Sequence, residues 1–130
     1  MMLWVLRLAA IAYFAAGSLH LVFGLSAENL LGAGLTPDVL TNPSLDSQNR
    51  YYGTSFMIYG ALLWLCVKDM PRFGGVFRLI LLFTFAGGCS RIIALLLHGW
   101  PSPAIIGLAL SELLLPPILY VWHCQPRPQA

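Results

Sequence analysis

Four long apolar segments constrain this chain more than any other feature of its sequence. They are residues 3–23, 51–67, 76–97 and 104–122. A helix that crosses a bilayer needs about 20 mostly apolar residues, within a range of roughly 17–25. Because 58% of the 130 residues are hydrophobic and only 9% are charged, a water-soluble fold would have too little polar surface to cover its core. The sequence therefore predicts an all-α membrane protein, a single integral domain over residues 1–130 built as an antiparallel bundle of four transmembrane helices.

The first apolar segment resembles a secretory signal, because small residues follow its apolar core. Its only early positive charge, Arg7, lies inside the run, and the apolar stretch continues to Phe23. The apolar core of a cleavable signal is typically only about 7–15 residues long. We therefore expect this segment to remain as the first membrane helix.

The basic residues predict the orientation of the bundle. In a layout of four spans, one side of the membrane receives most of them, namely Arg7, Arg127 and the connection that contains Lys68, Arg72 and Arg78. Cytoplasmic segments carry an excess of lysine and arginine. We therefore expect both termini in the cytoplasm and a long outer loop between helices 1 and 2, in residues 26–50, where SAENLL could form a single helical turn.

Turn chemistry predicts where the helices begin and end. Ser44 is expected to cap the second helix, with Asp46 in its first turn. Gly99 is expected to end the third helix. Ser102 followed by Pro103 is typical of the start of a helix, here the fourth. The tail QPRPQA cannot continue a helix and is expected at the surface.

Two oppositely charged residues interrupt the apolar segments at similar depth. Arg91 lies six residues before Leu97, and Glu112 lies eight residues after Ala104. At 1.5 Å per residue these positions are roughly 9 Å and 12 Å below the outer surface. Each charge costs about 2.5–3.5 kcal/mol near a helix centre. We therefore expect Arg91 and Glu112 to face the bundle interior as an ion pair, with Pro116 and Pro117 forming a pocket floor beside them.

Further polar residues cluster in the same outer half. They are His20, Asn49, Arg50 and His98. Helical spacing places Ala9, Ala12, Ala16 and His20 on one stripe of the first helix, and Asn49, Gly53, Phe56 and Gly60 on one stripe of the second. Small residues at this spacing allow close helix packing in membranes. We expect a ligand-binding site formed by Arg91, Glu112, His20, Asn49, Arg50 and His98, with His20, Ser90, Ser111 and Asn49 completing the hydrogen bonds of the ion pair.

The short motifs in these segments resemble a known family. They are Asn49-Arg50-Tyr51-Tyr52-Gly53 at the start of the second helix, Arg91 in the third, Gly99-x-Pro101 in the hairpin and Glu112 in the fourth. Together they resemble the bacterial domain-of-unknown-function family numbered 4345, which comprises small four-helix inner-membrane proteins. The resemblance covers most of the chain and implies this fold and a bacterial inner-membrane location. It implies no established activity.

Composition and spacing exclude several function classes. The formal net charge is +2, and no basic run predicts a nucleic-acid partner. The three cysteines have no metal-ligand spacing, and no nucleotide-binding loop or serine-triad spacing is present. We therefore expect no cofactor, no metal ion and no nucleic acid, and no catalytic residue is assigned.

Three functional interpretations remain open at this point. The favoured one is a noncatalytic protein of the lipid bilayer whose polar pocket binds a lipid-like or amphiphilic small molecule, or which supports a membrane complex with a partner protein or a second copy. The alternatives are a small intramembrane enzyme, with Glu112 or His20 transferring protons, and a proton-coupled exporter. In the plainest interpretation, Arg91 and Glu112 only fix the helix register, and Asn49 and Arg50 anchor a helix end.

Overall fold

The computed structural model describes residues 2–125 and is built entirely of helices and their connections over that range. Within these residues six helices follow one another: α1 (Met2–Phe23), α2 (Ser26–Leu30), α3 (Pro37–Leu40), α4 (Pro43–Lys68), α5 (Met70–His98) and α6 (Pro103–Cys124). The predicted all-α class is therefore confirmed. The tail at residues 126–130, including Arg127, lies outside the described residues.

Three of the helices, α1, α5 and α6, are long and apolar enough to cross a membrane by length and composition. They correspond to the first, third and fourth predicted segments. The predicted second segment, residues 51–67, is the C-terminal part of α4, which does not meet the same criterion. The predicted segment itself carries Tyr51, Tyr52, Thr54 and Ser55 in its first turns, and these residues lower its apolar content.

Two helices begin earlier than the sequence predicted. α5 begins at Met70 rather than near residue 76, so Arg72 lies on a helix and not in a connection. Only Asp69 separates α4 from α5, and its carboxylate accepts a hydrogen bond from the backbone N–H of Arg72 at 3.1 Å. α4 begins at Pro43, and two short helices lie in the preceding connection: α2 confirms the helical turn expected in SAENLL, whereas α3 was not predicted.

Most of the predicted helix ends are observed, and one cap is different. Gly99 ends α5 with a φ of 89°, a conformation that favours glycine. Ser102 and Pro103 begin α6 as expected. The prediction that Ser44 caps α4 is wrong, because Asn42 accepts hydrogen bonds from the backbone N–H groups of Ser44 and Leu45. Pro43 takes the first helical position, where its missing N–H costs nothing, and this moves the cap to Asn42.

Glycines allow α1 and α4 to pack backbone against backbone. A Cβ atom on Gly17 would lie 2.6 Å from the carbonyl oxygen of Gly53, and one on Gly60 would lie 3.0 Å from that of Ala10. Because the later residue of α1 meets the earlier residue of α4, the two helices run antiparallel. Small residues at a helix interface permit such close approach in membranes. The glycines of α4 therefore fit the expected small-residue stripe, but Gly17 rather than the alanines supplies the matching surface on α1.

The remaining contacts leave a space at the centre of the molecule. Extensive contacts join α1 to α4, α4 to α5 and α5 to α6, and within residues 2–125 α1 contacts α5 and α6 much less. The buried apolar core has members on α1, α4, α5 and α6 and therefore connects these three interfaces. Its members are Leu6, Ala10, Leu63, Cys66, Met70, Phe77, Ile80, Leu81 and Leu119.

Candidate functional site

Arg91 and Glu112 form the expected ion pair between α5 and α6. Nε of Arg91 donates to Oε2 of Glu112 at 2.6 Å, and Nη2 donates to Oε1 at 3.1 Å. The two helices approach closely here, since a Cβ atom on Gly88 would lie 2.9 Å from Cγ of Leu113. The pair is partly exposed, with 32% of the Arg91 side chain and 19% of the Glu112 side chain accessible. Two parallel hydrogen bonds fix both the distance and the orientation of the charged groups.

The neighbouring hydroxyl groups do not complete this pair. Ser90 donates to the carbonyl oxygen of Gly87 at 2.7 Å, and Ser111 donates to that of Leu108 at 2.8 Å. His20 and Asn49 bond to each other. The prediction that these four side chains satisfy the ion pair is therefore wrong, because local carbonyl groups of the same helix compete for serine hydroxyls.

A second polar network links α1, α2 and α4. Nδ1 of His20 lies 2.8 Å from Oδ1 of Asn49, and Nδ2 of Asn49 donates to Oε1 of Glu28 at 2.9 Å. His20 and Asn49 are each only 5% exposed. Glu28 is the residue that sequence reasoning missed, since it belongs to SAENLL, for which only a single helical turn was expected. The short helix α2 (Ser26–Leu30), which the chain forms directly after α1, brings it to His20.

Arg50 binds the end of α1 instead of joining that network. Its Nη1 donates to the carbonyl oxygen of Leu21 at 2.6 Å, and its Nε donates to Oδ2 of Asp46 at 2.7 Å. The other carboxylate oxygen of Asp46 accepts from the backbone N–H of Leu25 at 2.9 Å. The hydrogen bond from Arg50, followed by that from Leu25, lowers the pKa of Asp46 below its ordinary value. Arg50 therefore ties the C-terminal end of α1 to α4, as a cation at a helix C-terminus does.

His98 lies apart from the other predicted site residues. It is the last residue of α5, is exposed, and lines neither of the spaces described below. The structure thus brings Arg91 and Glu112 together, brings His20 and Asn49 together, and leaves Arg50 and His98 outside both groups.

The space between α1, α5 and α6 forms a cleft of about 420 Å³, here called the central cleft. Most of its lining is apolar, and its polar groups are drawn from both networks. It is lined by Leu6, Ala9, Ala12, Tyr13, Ala16, Leu19, His20, Glu28, Leu31, Phe56, Leu63, Ile80, Leu81, Thr84, Arg91, Ile105, Leu108, Ser111, Glu112, Leu115, Pro116 and Leu119. The alanine stripe of α1 therefore faces this cleft rather than another helix, and Pro116 lines it as expected.

The two polar networks lie toward the same end of the central cleft. Leu6 on α1 and Leu119 on α6 lie at the other end, near the turn between α4 and α5. At the polar end, α2 contributes Glu28, and Leu31 is held over the start of α6 because its carbonyl oxygen accepts from the hydroxyl of Ser102 at 2.7 Å. The connection between α1 and α4 thus folds over this end of the helices.

A second space of about 480 Å³ opens between α4 and α5 and is here called the lateral cavity. Five residues line both spaces: Tyr13, Phe56, Thr84, Arg91 and Glu112. The other lining residues are Tyr52, Ser55, Tyr59, Phe83, Gly87 and Ser90. The ion pair therefore stands where the central cleft and the lateral cavity meet.

These features define a class of protein. Over residues 2–125 it is all-helical, three of its helices are long and apolar enough to cross a membrane, and an ion pair joins two of them, α5 and α6. The chain belongs to the family described as Domain of unknown function (DUF4345), whose model matches residues 1–123. The resemblance drawn from the motifs is thereby confirmed. Neither the curated proteins nor the solved structures include a match to this chain.

Proposed function

We propose that this chain is a noncatalytic, multi-pass protein of the bacterial inner membrane that binds a lipid-like or amphiphilic small molecule in the central cleft. The observation that carries the proposal is the distribution of polar groups along the cleft. Arg91, Glu112, His20 and Glu28 lie toward one end, and the rest of the lining is almost entirely apolar. A ligand that matches this lining has a polar head and a hydrocarbon tail.

The proposal includes α4 as the fourth membrane helix of an antiparallel bundle. α4 packs against α1 on one side and α5 on the other, although its N-terminal turns are polar. Residues 51–67 are long enough to span, and Asp46 and Arg50 would then lie at the membrane surface. Both termini would be cytoplasmic, because Arg7, Lys68 and Arg72 gather at one end of the helices.

Cysteine labelling tests this orientation. In a background with the three native cysteines replaced by serine, Asp38→Cys should react with a membrane-impermeant maleimide added to intact spheroplasts, and Arg72→Cys should not. Reaction at Arg72→Cys without reaction at Asp38→Cys would reverse the proposed topology.

The ion pair favours binding over proton-coupled export. A carboxylate that exchanges protons during transport must be free to do so, whereas both oxygens of Glu112 accept hydrogen bonds from Arg91. Glu112 is therefore better suited to line a binding site in a fixed position than to carry protons during transport.

Photo-crosslinking in lipid nanodiscs tests the binding proposal. The probes are single-chain amphiphiles with a diazirine in a 16-carbon chain and with different heads, a hydroxyl, a methyl ether or a carboxylate. At least one probe should crosslink to peptides that line the central cleft. Ala12→Phe, which fills the cleft from α1, should abolish this crosslink. Ala15→Phe is the matched control, because Ala15 is exposed on α1 and lines neither space. If no probe gives a crosslink that Ala12→Phe removes, the binding proposal is wrong.

A further inference from the structure

We infer that the ligand of the central cleft is a single-chain amphiphile with an uncharged, hydroxyl-bearing head, which donates a hydrogen bond to Nε2 of His20. The inference rests on the proposed binding function and names the class of ligand. Three features of the cleft carry it: the tautomer of His20, the balance of charge at the polar end, and the length and volume of the cleft.

The hydrogen-bond chain from Glu28 fixes the tautomer of His20. A carboxylate oxygen only accepts, so the group of Asn49 that faces Glu28 is its NH₂ group, at 2.9 Å. The carbonyl oxygen of Asn49 therefore faces His20, where it lies 2.8 Å from Nδ1. Because that oxygen also only accepts, Nδ1 carries the hydrogen. In the neutral ring, Nε2 is then left with its lone pair and acts as an acceptor.

Nε2 of His20 has no partner within residues 2–125, and neither has Nη1 of Arg91. Over the same residues, Nδ1 of His123 is the one side-chain nitrogen or oxygen that is both fully buried and without a hydrogen bond. Nε2 of His20 and Nη1 of Arg91 also lack a partner but are not fully buried, so both atoms are accessible. His20 and Arg91 both line the central cleft. A hydroxyl group suits this combination, because it donates to an acceptor and accepts from a donor.

The charges at the polar end disfavour an anionic head. The charged residues that line the cleft are one arginine and two glutamates, a formal excess of one negative charge. The arginine is already engaged by Glu112 through two hydrogen bonds. A carboxylate or phosphate head that accepted from Nη1 of Arg91 would lie beside Glu112 and near Glu28, and like charges in a desolvated site repel strongly. An uncharged head avoids this repulsion.

The length and volume of the cleft suit one hydrocarbon chain. Leu6 and His20 line its two ends on α1 and are 14 residues apart, which corresponds to about 21 Å of helix. The cleft volume of about 420 Å³ lies in the lower part of the range for small-molecule sites, roughly 300–1,000 Å³. We therefore expect one extended chain to occupy the cleft, rather than the two chains of a diacyl lipid.

The three probe heads separate this inference from the binding proposal. In wild-type protein, the hydroxyl probe should crosslink to the cleft about tenfold more than the methyl ether, which accepts but does not donate, and the difference corresponds to one hydrogen bond. The carboxylate probe should be weaker still, and a diacyl phosphatidylcholine with the same diazirine should not label the cleft. His20→Asn, whose amide nitrogen replaces Nδ1 but which lacks Nε2, should bind the hydroxyl and ether probes equally.

Each other outcome overturns a defined part of the account. If the ether or the carboxylate probe labels the cleft as well as the hydroxyl probe does, and Ala12→Phe removes the label, the head assignment is wrong and the binding proposal stands. Labelling by the diacyl probe that Ala12→Phe removes would overturn the single-chain assignment. If His20→Asn keeps the wild-type preference for the hydroxyl, His20 does not supply the acceptor. The comparison of heads in wild-type protein decides the head assignment even if His20→Asn fails to fold.

Discussion

Single residues at the polar end of the cleft depend on specific partners, and Arg91 with Glu112 is the strongest case. Replacing one of them by leucine leaves the other charge without its partner in a poorly solvated site. We expect Arg91→Leu or Glu112→Leu to lower the free energy of unfolding by about 3 kcal/mol, the lower end of the range for broken buried pairs, because Arg91 is partly exposed. The double variant should recover most of this loss. Unfolding by sodium dodecyl sulfate in mixed micelles measures all three.

The control for this double-mutant cycle is Arg72→Leu, which also removes an arginine but from an exposed position on α5. It should change stability by less than about 1 kcal/mol. If the losses of the two single variants simply add in the double variant, Arg91 and Glu112 do not interact.

The pKa of Asp46 predicts a pH dependence at the end of α1. Since the hydrogen bonds from Arg50 and Leu25 lower this pKa in the folded protein, the ionised carboxylate stabilises the fold above the ordinary carboxyl pKa of about 4. That stabilisation is lost as the pH falls through the lowered pKa. The thermal midpoint of wild-type protein should therefore exceed that of Asp46→Asn at pH 7, and the difference should shrink below pH 4. A constant difference from pH 7 to pH 3 would contradict this role.

At the scale of elements, the contact between α1 and α4 depends on the absence of side chains at Gly17 and Gly53. Gly17→Ala would place a methyl group 2.6 Å from a backbone oxygen, which cannot move without shifting α4. We expect a loss of about 1–3 kcal/mol, as for other overpacked contacts. Gly107→Ala on α6 is the matched control, because nothing lies within 4 Å of its Cβ position. The control should be neutral or stabilising by up to about 1 kcal/mol, since alanine favours helix. Equal effects of the two substitutions on unfolding would contradict the proposed packing.

Local sequence rules predicted the helices well and their first residues less well. Gly99 and Ser102-Pro103 marked the turn between α5 and α6 correctly, because glycine and proline restrict the backbone directly. The predicted start of α5 was wrong, since the polar residue Arg72 interrupts the apolar pattern in the helical turns before residue 76. The alanine stripe of α1 was assigned to helix packing and instead lines the central cleft, because the small-residue pattern does not identify which partner a helix face meets.

For the whole molecule, the pairing of the two charges between α5 and α6 was predictable, and the connections among the other polar groups were not. Arg91 and Glu112 could be paired from the sequence because opposite charges at equal depth have few alternatives in an apolar segment. Glu28 could not be assigned to His20, since its position depends on how α2 folds back after α1. His98 was assigned to the site only because it lies near the hairpin. It is exposed on the last turn of α5 and lines neither space.

The central claim about the whole protein is that one small molecule occupies the central cleft, which has one polar end and one apolar end. Native mass spectrometry of protein extracted from its own membrane in a mild detergent tests it most directly. Wild-type protein and Ala15→Phe should carry one noncovalent adduct per chain, of the mass of a single-chain amphiphile. Ala12→Phe should have the same fold by circular dichroism and no adduct. An adduct of equal occupancy in Ala12→Phe, or none in any of the three proteins, would contradict the claim.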